Sequence, residues 1–589
     1  MPPPPFRLLR VRVLRMQRRE PVWLSAPRED VRISFPGGIV LSGSPGTPLE
    51  QFILAWQELW PDARPPYAAA MIGTDICGLA DVPAGDATAV PLGLDTVEGM
   101  RVYRRSASLL LLAAARRLFP DARLVIEHSI TANGLFCSVQ GRPPLSPEEV
   151  AQLGREMRAL QQADLPIRRR ELTCEEAETL FRARACEDEL RLLETVRPTA
   201  VTVYELAGTV ASFWGLLFPR TGYLEAFSLR HHPEGFLLLL PLGPPPWRFP
   251  HDVDFPKVLH QLRERRRWLL SMGIAEAGSL NKVVMAGMFR ELVLVAEALH
   301  EWEIASIAQK VREREQARLI FIAGPSASGK TTFAKRLGVQ LAASAIPAYV
   351  ISLDDYFVDR DATPRDESGE PDFEAFEAVD RRLFAQQMLA LLRGESVRLP
   401  RYDFASGKRV EGPLVSLPRN GLLIVEGLHG LNPALLPEAP AGLVFRIYVS
   451  ALFQLNIDDH NYIPTSDARL LRRIVRDAQA RGYSAEETIK RWHMVRRGEQ
   501  ANIFPYQELA DVMFNSALPY ETAVLKPLAE PLLLPYDHRS SVSAEVRRLL
   551  ELLSLFRPVD PATVPDNSIL REFIGGSIFE TVQLRARFP

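Results

Sequence analysis

The sequence predicts a multidomain α/β protein whose C-terminal half is built on a parallel sheet with flanking helices. Three observations lead to this fold class. First, 47% of the 589 residues are hydrophobic, which is enough for several buried cores, and the length favours more than one domain. Second, short apolar runs typical of buried strands occur at 319–323, 350–353, 421–426 and 444–450. Third, a segment with helical periodicity follows the first run from residue 332, as in a strand–helix unit of such a sheet.

Charge and hydropathy exclude several broad classes of protein. The formal net charge is −2, so no general affinity for nucleic acids or anionic membranes is expected. The longest apolar runs, at 109–115 and 236–242, are too short to span a bilayer, and the proline-rich start lacks the apolar stretch of a signal peptide. We therefore expect a cytoplasmic protein without membrane contact. Four irregularly spaced cysteines are expected to be incidental thiols: Cys77, Cys137, Cys174 and Cys186.

The strongest motif follows the run at 319–323 and fits G-x-x-x-x-G-K-[ST]. Its residues and the next threonine are predicted to bind a nucleotide: Gly324, Pro325, Ser326, Ala327, Ser328, Gly329, Lys330, Thr331 and Thr332. The glycines let the backbone curl so that successive N–H groups face an anion. Lys330 is expected to reach the outer phosphates, and the Thr331 hydroxyl to bind Mg²⁺. The motif thus predicts ATP and Mg²⁺ as cofactors.

Acidic residues end two further predicted strands, at the edge where open parallel sheets place ligands. Asp354 and Asp355 follow the run at 350–353. One carboxylate there can accept the proton of an attacking hydroxyl, while the other holds Mg²⁺ through water. Glu426 ends the run at 421–426, from where an acid steadies magnesium or its water in phosphate-loop enzymes. For the aspartates, the alternative is a solvated turn at the strand end.

A predicted helix within 466–482 is rich in arginine. It carries Arg469, Arg472, Arg473 and Arg476. Spacings of three and four place Arg469, Arg472 or Arg473, and Arg476 on one face of the helix. We interpret this face as a lid that closes over phosphates, with a solvated arginine face as the alternative.

Read together, six segments resemble the uridine kinase and phosphoribulokinase family over about residues 316–535. They are GPSASGKTT, LDDYF, DFEAFEAVD, LPRYDFASGKR, VEGLHGL and SDARLLRRIVRD. The resemblance implies a P-loop kinase domain in which Asp354 is the catalytic base and Glu374 grips the sugar hydroxyls of the acceptor. It also implies that Tyr402 and the arginines Arg469, Arg472 and Arg476 contact substrate or phosphate, with Lys330 and Arg476 taking part in catalysis.

Two positions depart from the family pattern. Gly407 stands where uridine kinases carry a histidine that reads the pyrimidine, and Glu374 replaces an aspartate. A site that lacks a hydrogen-bonding partner loses discrimination between substrates. Pyrimidine specificity is therefore not expected to carry over.

The N-terminal half shows a different resemblance. Residues 29–98 predict a strand, a Gly-Gly turn, a strand, a helix and two more strands, and they resemble the TGS domain, a β-grasp module of threonyl-tRNA synthetases. Residues 99–243 resemble the α+β second domain of those enzymes. Arg105 and Leu109 occupy the two histidine positions of its H-x-x-x-H editing signature. Because leucine cannot bind a metal or carry a proton, we expect editing chemistry to be absent and the fold to serve as a scaffold or binding surface.

Three remaining segments complete the predicted organisation. Residues 1–28 form a basic extension, for which a solvated or docked arm is preferred over an RNA-binding one. Residues 244–315 begin as a proline-rich linker and continue as two or three helices. Residues 536–589 form a C-terminal helix and tail that docks on the kinase domain, where Gly575 and Gly576 could contact substrate.

These observations predict an ATP- and Mg²⁺-dependent kinase that phosphorylates a hydroxyl of a nucleoside or another sugar-like small molecule. One alternative is a kinase for a phosphorylated sugar, in which Arg401 or Arg409 faces the phosphate of the acceptor. The other is a regulator that contacts RNA or the ribosome through the N-terminal half and uses ATP as a switch. Asp354 separates these hypotheses because a switch needs phosphate binding but no base. The sequence leaves the oligomeric state open.

Overall fold

The computed structural model describes residues 30–130, 133–250, 255–366, 369–404, 406–538 and 540–580. The predicted basic extension, 1–28, lies outside these residues, as does the end of the predicted tail, 581–589. No helix in the described part of the chain combines the length and the apolar character needed to cross a bilayer.

The first region is a mixed five-stranded sheet with one helix. Its elements are β1 (Val31–Ser34), β2 (Val40–Gly43), α1 (Leu49–Leu59), β3 (Tyr67–Ile72), β4 (Asp75–Gly78) and β5 (Ala87–Gly93), with strand order β2-β1-β5-β3-β4. β1 is antiparallel to β2 and parallel to β5. α1 buries Phe52, Ile53 and Trp56. The predicted order of two strands, a helix and further strands is present, with β4 as a strand that the sequence did not predict. The likeness to a TGS domain stays a prediction.

The second region combines helices with two antiparallel sheets. Its helices are α2 (Val97–Leu118), α3 (Pro147–Gln162), α4 (Cys174–Ala183) and α5 (Glu187–Val196). One sheet, in the order β11-β12-β7-β6, contains β6 (Arg123–Ile130), β7 (Gly134–Gln140), β11 (Ser228–His232) and β12 (Gly235–Leu239). The other, in the order β10-β9-β8, contains β8 (Arg168–Leu172), β9 (Val201–Leu206) and β10 (Thr209–Ser212). The predicted α+β architecture is confirmed.

Arg105 and Leu109, at the two histidine positions of the H-x-x-x-H signature, are both part of the packed interior of this region. Leu109 lies in the buried face of α2 and has no exposed surface. Arg105 donates hydrogen bonds to the carbonyl oxygens of Leu216 and Trp214, at 3.1 and 3.2 Å. Neither side chain offers a metal ligand.

The C-terminal half is organised around a five-stranded parallel sheet in the order β14-β17-β13-β18-β19. Its strands are β13 (Leu319–Ala323), β14 (Ala348–Ser352), β17 (Leu422–Glu426), β18 (Val444–Ser450) and β19 (Val512–Asn515). A hairpin of β15 (Val397–Asp403) and β16 (Lys408–Val415) lies beside it. The four strands predicted from apolar runs are all present, and the predicted parallel sheet is confirmed.

Helices cover this sheet and lead into it. Three helices precede it, as predicted: α6 (Pro256–Ser271), α7 (Ala277–Met285) and α8 (Phe289–Glu313). Those that follow are α9 (Lys330–Ala343), α10 (Arg381–Leu392), α11 (Thr465–Ala480), α12 (Ala485–Asn502), α13 (Glu521–Leu533), α14 (Ser543–Ser554) and α15 (Arg571–Ile574). One apolar core joins α8, α9, α11 and α13 to the strands β13, β17 and β18.

A junction segment, residues 456–462, connects the two halves of the chain. It lies between β18 and α11 but hydrogen-bonds to β6 and α5 of the second region. Asn456 Nδ2 donates to the carbonyl oxygen of Ile126 at 2.9 Å, and the Ile126 N–H donates to the carbonyl oxygen of Asp459 at 2.8 Å. The Asp459 N–H donates to Asp188 Oδ2 at 2.8 Å. Backbone and side-chain bonds together fix the junction segment to the N-terminal half.

Two buried carboxyl groups of α5 lie at this junction. Asp188 and Glu189 are each 3% exposed and share a hydrogen bond. Burial and the adjacent Asp188 carboxylate raise the pKa of Glu189 well above its ordinary value. We infer that the protonated Glu189 carboxyl group donates a hydrogen bond to the Asp188 carboxylate.

Alkaline solution is therefore expected to weaken the junction. A carboxyl group with a raised folded-state pKa contributes stability that is complete below its ordinary pKa of 4.5 and is lost as the pH rises through the folded-state pKa. Glu189→Gln keeps a hydrogen-bond donor but does not titrate, so its thermal unfolding midpoint should fall less than that of the wild type as the pH rises above 4.5. Glu187→Gln, at an exposed position of the same helix, is the control. Equal pH dependence of the wild type and Glu189→Gln would contradict the inference.

Candidate active site

The phosphate loop joins β13 to α9 at the carboxyl ends of the parallel strands. Gly329, its last residue, has a φ of +83°, a left-handed conformation that favours glycine. A Cβ at Gly324 would collide with the carbonyl oxygen of Val449, so only glycine fits between the loop and the end of β18. These two positions explain why the loop can turn so closely over the sheet.

Lys330 and Thr331 open α9. Lys330 Nζ donates to the carbonyl oxygens of Gly324 and Pro325, at 2.9 and 3.1 Å. Thr331 Oγ1 donates to Glu426 Oε1 at 3.3 Å. A hydroxyl and a carboxylate this close together are hard oxygen ligands of the kind that Mg²⁺ prefers. The two residues predicted to bind magnesium therefore lie together, and their chemistry fits the ion.

Glu426 lies among charged groups at the end of β17. Burial raises the pKa of Glu426 to about 7, the carboxylates of Asp354 and Glu572 add to the rise, and Lys330 opposes it. A bound cation would favour the ionised form of this carboxyl group. Three acidic side chains and the loop lysine thus converge on one region.

Asp354 follows β14 directly. Its side chain reaches solvent, yet protein atoms surround it closely enough that desolvation raises the pKa of the carboxyl group. The charges of Lys330, Arg481 and Arg476 oppose this rise. Asp354 is therefore a solvent-accessible carboxylate on which the charges of three cations act.

The neighbouring aspartate has a different position. Asp355 Oδ1 accepts a hydrogen bond from the backbone N–H of Tyr402 at 3.2 Å, which ties the hairpin to the end of β14. Tyr402 is buried among Phe357, Phe373 and Phe404, with ring centroids 5.7, 6.3 and 5.0 Å away. Asp355 and Tyr402 thus anchor the hairpin beside Asp354, and a substrate contact of Tyr402 stays a prediction.

Glu374 lies against α12. A Cβ at Gly498 would be 2.5 Å from the Cβ of Glu374, so the helix can approach this residue only through a glycine. Burial raises the pKa of Glu374 to about 7, and nearby Glu499 adds to the rise. The charges of Asp354 and Lys330 also act on this carboxyl group. Asp354, Lys330 and Glu374, three of the predicted catalytic and substrate residues, therefore belong to one group of interacting charges.

Two of the predicted substrate arginines lie behind the phosphate loop instead of over it. Arg469 and Arg472 are 1% and 0% exposed. Arg469 Nη2 donates to Glu499 Oε2 at 2.9 Å, and Arg472 Nη2 donates to Glu521 Oε2 at 2.6 Å. Each guanidinium group also donates to a carbonyl oxygen of the loop. Because α11 is packed between α12, α13 and α15, it supports the loop from behind and is not the predicted lid.

The arginines near the phosphate loop and Asp354 come from the C-terminal part of the same helix and the residue that follows it. Arg473 Nη1 donates to Ser326 Oγ of the loop at 2.8 Å. Arg476 and Arg481 act on Asp354 through their charges. Arg481 follows α11 and was not predicted from the sequence, although it belongs to the same arginine-rich stretch. The predicted catalytic arginine, Arg476, thus lies near Asp354, whereas Arg469 and Arg472 are paired with buried glutamates instead.

Gly407, one of the two departures from the uridine kinase pattern, lies beside Arg360. Gly407 has a φ of +68°, and a Cβ there would be 2.7 Å from Arg360 Nε, so the arginine occupies the space beside it. Arg409 Nη1 donates to Asp380 Oδ2 at 2.9 Å. Arg409, predicted to bind substrate, is therefore already paired within the protein. Arg401 is exposed.

Comparison with known proteins agrees with this geometry. Residues 319–523 match the family model described as "Phosphoribulokinase / Uridine kinase family". The matched range contains β13, the phosphate loop, Asp354, Glu374 and Glu426. The resemblance to this family predicted from the motifs is confirmed for this region, which is about a third of the chain.

The N-terminal region is similar to threonine–tRNA ligases. The enzyme from Nitratidesulfovibrio vulgaris is 31% identical over 150 residues, which are 26% of this chain and 23% of the relative. That from Thermoplasma acidophilum is 28% identical over 206 residues, which are 34% of this chain and 30% of the relative. The chain spans less than a third of the length of these curated relatives. The predicted resemblance to threonyl-tRNA synthetases is confirmed.

One solved structure similar to this chain is a putative fructose transport system kinase from a Silicibacter species. It has 23% identity and a TM-score of 0.27, and the match covers 36% of this chain and 98% of that one. Another is a possible uridine kinase from Bacillus stearothermophilus, with 20% identity, a TM-score of 0.24 and coverage of 34% and 89%.

Proposed function

We propose that the protein is an ATP- and Mg²⁺-dependent kinase that transfers the γ-phosphoryl group to a hydroxyl of a nucleoside or a related sugar-like molecule. The observation that carries this proposal is the position of Asp354, an accessible carboxylate at the strand end next to the phosphate loop. The charges of Lys330, Glu374 and Glu426 interact with it. A site that only bound phosphate would need the loop and the lysine but no such carboxylate.

Each residue has a distinct part in this proposal. Lys330 and the loop N–H groups hold the phosphates, and Asp354 orients the acceptor hydroxyl and accepts its proton. Thr331 and Glu426 would hold Mg²⁺, which when bound neutralises phosphate charge. Arg476 lies where it can stabilise negative charge that develops during transfer.

The choice of acceptor rests on Glu374, Arg409 and Gly407. Glu374 offers a carboxyl group that can bind neighbouring hydroxyls of a sugar. Arg409 is paired with Asp380, which disfavours the variant in which it binds the phosphate of a phosphorylated sugar. The exposed Arg401 would then have to bind that phosphate. We prefer an unphosphorylated acceptor, while its base or ring stays open because Gly407 provides no side chain to read it.

The test is acceptor-dependent conversion of ATP to ADP by the full chain with Mg²⁺. Nucleosides, pentoses, polyols and phosphorylated sugars form the panel, and Lys330→Ala is the blank. Turnover with nucleosides or pentoses, absent in the blank, is the expected result. Turnover confined to phosphorylated sugars would assign the other acceptor class. Tight ATP binding without turnover for any acceptor would reject the kinase and favour the RNA-associated switch.

A further inference from the structure

The C-terminal segment, residues 566–580, lies along the phosphate loop and the start of α9. Ile569 is buried and packs on Gly329, where a Cβ would collide with its Cγ2. Lys335 Nζ donates to the carbonyl oxygen of Phe579 at 2.7 Å. The segment thus contacts both the residue before α9 and the second turn of that helix.

One side chain of this segment reaches the nucleotide-binding residues themselves. Glu572 Oε2 accepts a hydrogen bond from the backbone N–H of Thr332 at 3.0 Å. Thr332 is the third residue of α9, and the first N–H groups of a helix have no partner within the helix. In a phosphate loop these N–H groups and the positive end of the helix are the anion-binding site.

A carboxylate therefore occupies a donor that a nucleotide phosphate would use. Both are anions, and a single N–H cannot make a full hydrogen bond to each of them in the same direction. The main chain of the segment is held by the buried side chains of Ile569, Leu570 and Phe573, none of which touches this N–H. The Glu572 side chain can consequently leave Thr332 while the segment stays docked.

We propose that Glu572 is an internal competitor of the nucleotide, an autoinhibitory carboxylate that must release the Thr332 N–H before the phosphates of ATP or ADP can bind there. This inference rests on the proposed function of the loop as the ATP site. It adds a regulatory contact made by the end of the chain, which no motif in the phosphate-loop region indicates. Anything that moves residues 566–580 away from α9 raises the affinity for nucleotide.

The expected effect of removing the charge follows from the strength of anion binding at a helix N-terminus. Glu572→Gln keeps an oxygen that can accept the Thr332 hydrogen bond, so folding is preserved, but it loses the negative charge. Dissociation constants for ADP and ATP should fall by about 3- to 30-fold. Glu572→Ala, which removes the side chain from the site, should show at least the same gain.

The experiment is equilibrium binding of ADP and ATP to the full chain in the absence of Mg²⁺. Wild type, Glu572→Gln and Glu572→Ala are compared with Glu580→Gln, an exposed glutamate of the same segment, as the matched control. Adenosine, which has no phosphate, is the ligand control. Tighter binding of ADP and ATP to both Glu572 variants alone, with adenosine unchanged, is the expected result.

Lys330→Ala separates failure of this inference from failure of the proposed function. If the wild type binds ATP, Lys330→Ala does not, and the Glu572 variants bind no tighter than the wild type, the competitor is rejected while the ATP site stands. Weaker binding by the Glu572 variants would also reject it, because the carboxylate would then support the site. If neither the wild type nor the Glu572 variants bind ADP or ATP, the loop is not a nucleotide site and both proposals fall.

Discussion

Asp354→Asn lowers the rate of phosphoryl transfer by about 10²- to 10⁴-fold, the usual contribution of a general base. The amide has the size of the carboxylate but cannot accept the hydroxyl proton. Affinity for ATP should stay within a few-fold, because the loop N–H groups and Lys330 still hold the phosphates. The measurements are kcat with the best acceptor and the dissociation constant for ATP.

The neighbouring residue provides a matched control. Asp355→Asn makes the same chemical change one position along, but its amide oxygen can still accept the Tyr402 N–H. Its kcat should stay close to that of the wild type. Equal losses in the two variants would point to a general disturbance of the strand end, and an unchanged rate in Asp354→Asn would remove the base from the proposal.

A pH profile gives an independent check on the same residue. Burial raises the pKa of Asp354, and a base works only in its ionised form. The rate should therefore fall as the solution becomes more acidic through this raised pKa. Asp354→Asn should lack that part of the profile.

Arg472→Met destabilises the support of the phosphate loop by about 3–5 kcal/mol, the usual cost of breaking a buried ion pair from one side. The substitution leaves the fully buried carboxylate of Glu521 without its cation. It also removes the hydrogen bond from Arg472 to the carbonyl oxygen of Ser516. Hydrogen exchange at the amides of α11 reports the local free energy of opening and should show the loss.

Arg473→Met is the control for this prediction. Arg473 is the next residue of the same helix, and its side chain is 13% exposed, with Asp477 and Ser326 as partners. Its loss should cost clearly less, because Asp477 keeps its ion pairs with Arg476 and Arg481. If α11 opened no more easily in the Arg472→Met variant than in the Arg473→Met variant, the ion pair between Arg472 and Glu521 would not be a main support of the loop.

The elements that the sequence predicted well are those with a local signal. The parallel strands are short apolar runs, and the phosphate loop has glycines at the two places where the backbone demands them. The position of Asp354 follows from the topology, because the carboxyl ends of parallel strands share one edge. Each of these features is signalled by residues that lie close together in the sequence.

The buried face of the arginine-rich helix α11 is a feature that the sequence did not predict. Spacing correctly indicates that Arg469, Arg472 and Arg476 are close on α11, but it does not indicate which face of the helix is buried. That face is decided by Glu499 and Glu521, which have no motif and lie 30 and 49 residues further along the chain. Glu572 is a similar case, since its contact with Thr332 joins residues 240 positions apart.

The junction segment has a consequence for any shortened form of the protein. A chain cut to the kinase-family residues alone would keep residues 456–462 but lose Ile126 and Asp188, to which they are bonded. In such a fragment, water would have to replace these hydrogen bonds. The segment that leads from β18 into α11 would then no longer be held in place. Since α11 holds the phosphate loop, nucleotide binding measured on such a fragment would describe a loosened loop. The C-terminal half is therefore not a transferable module, and its chemistry belongs to the whole chain.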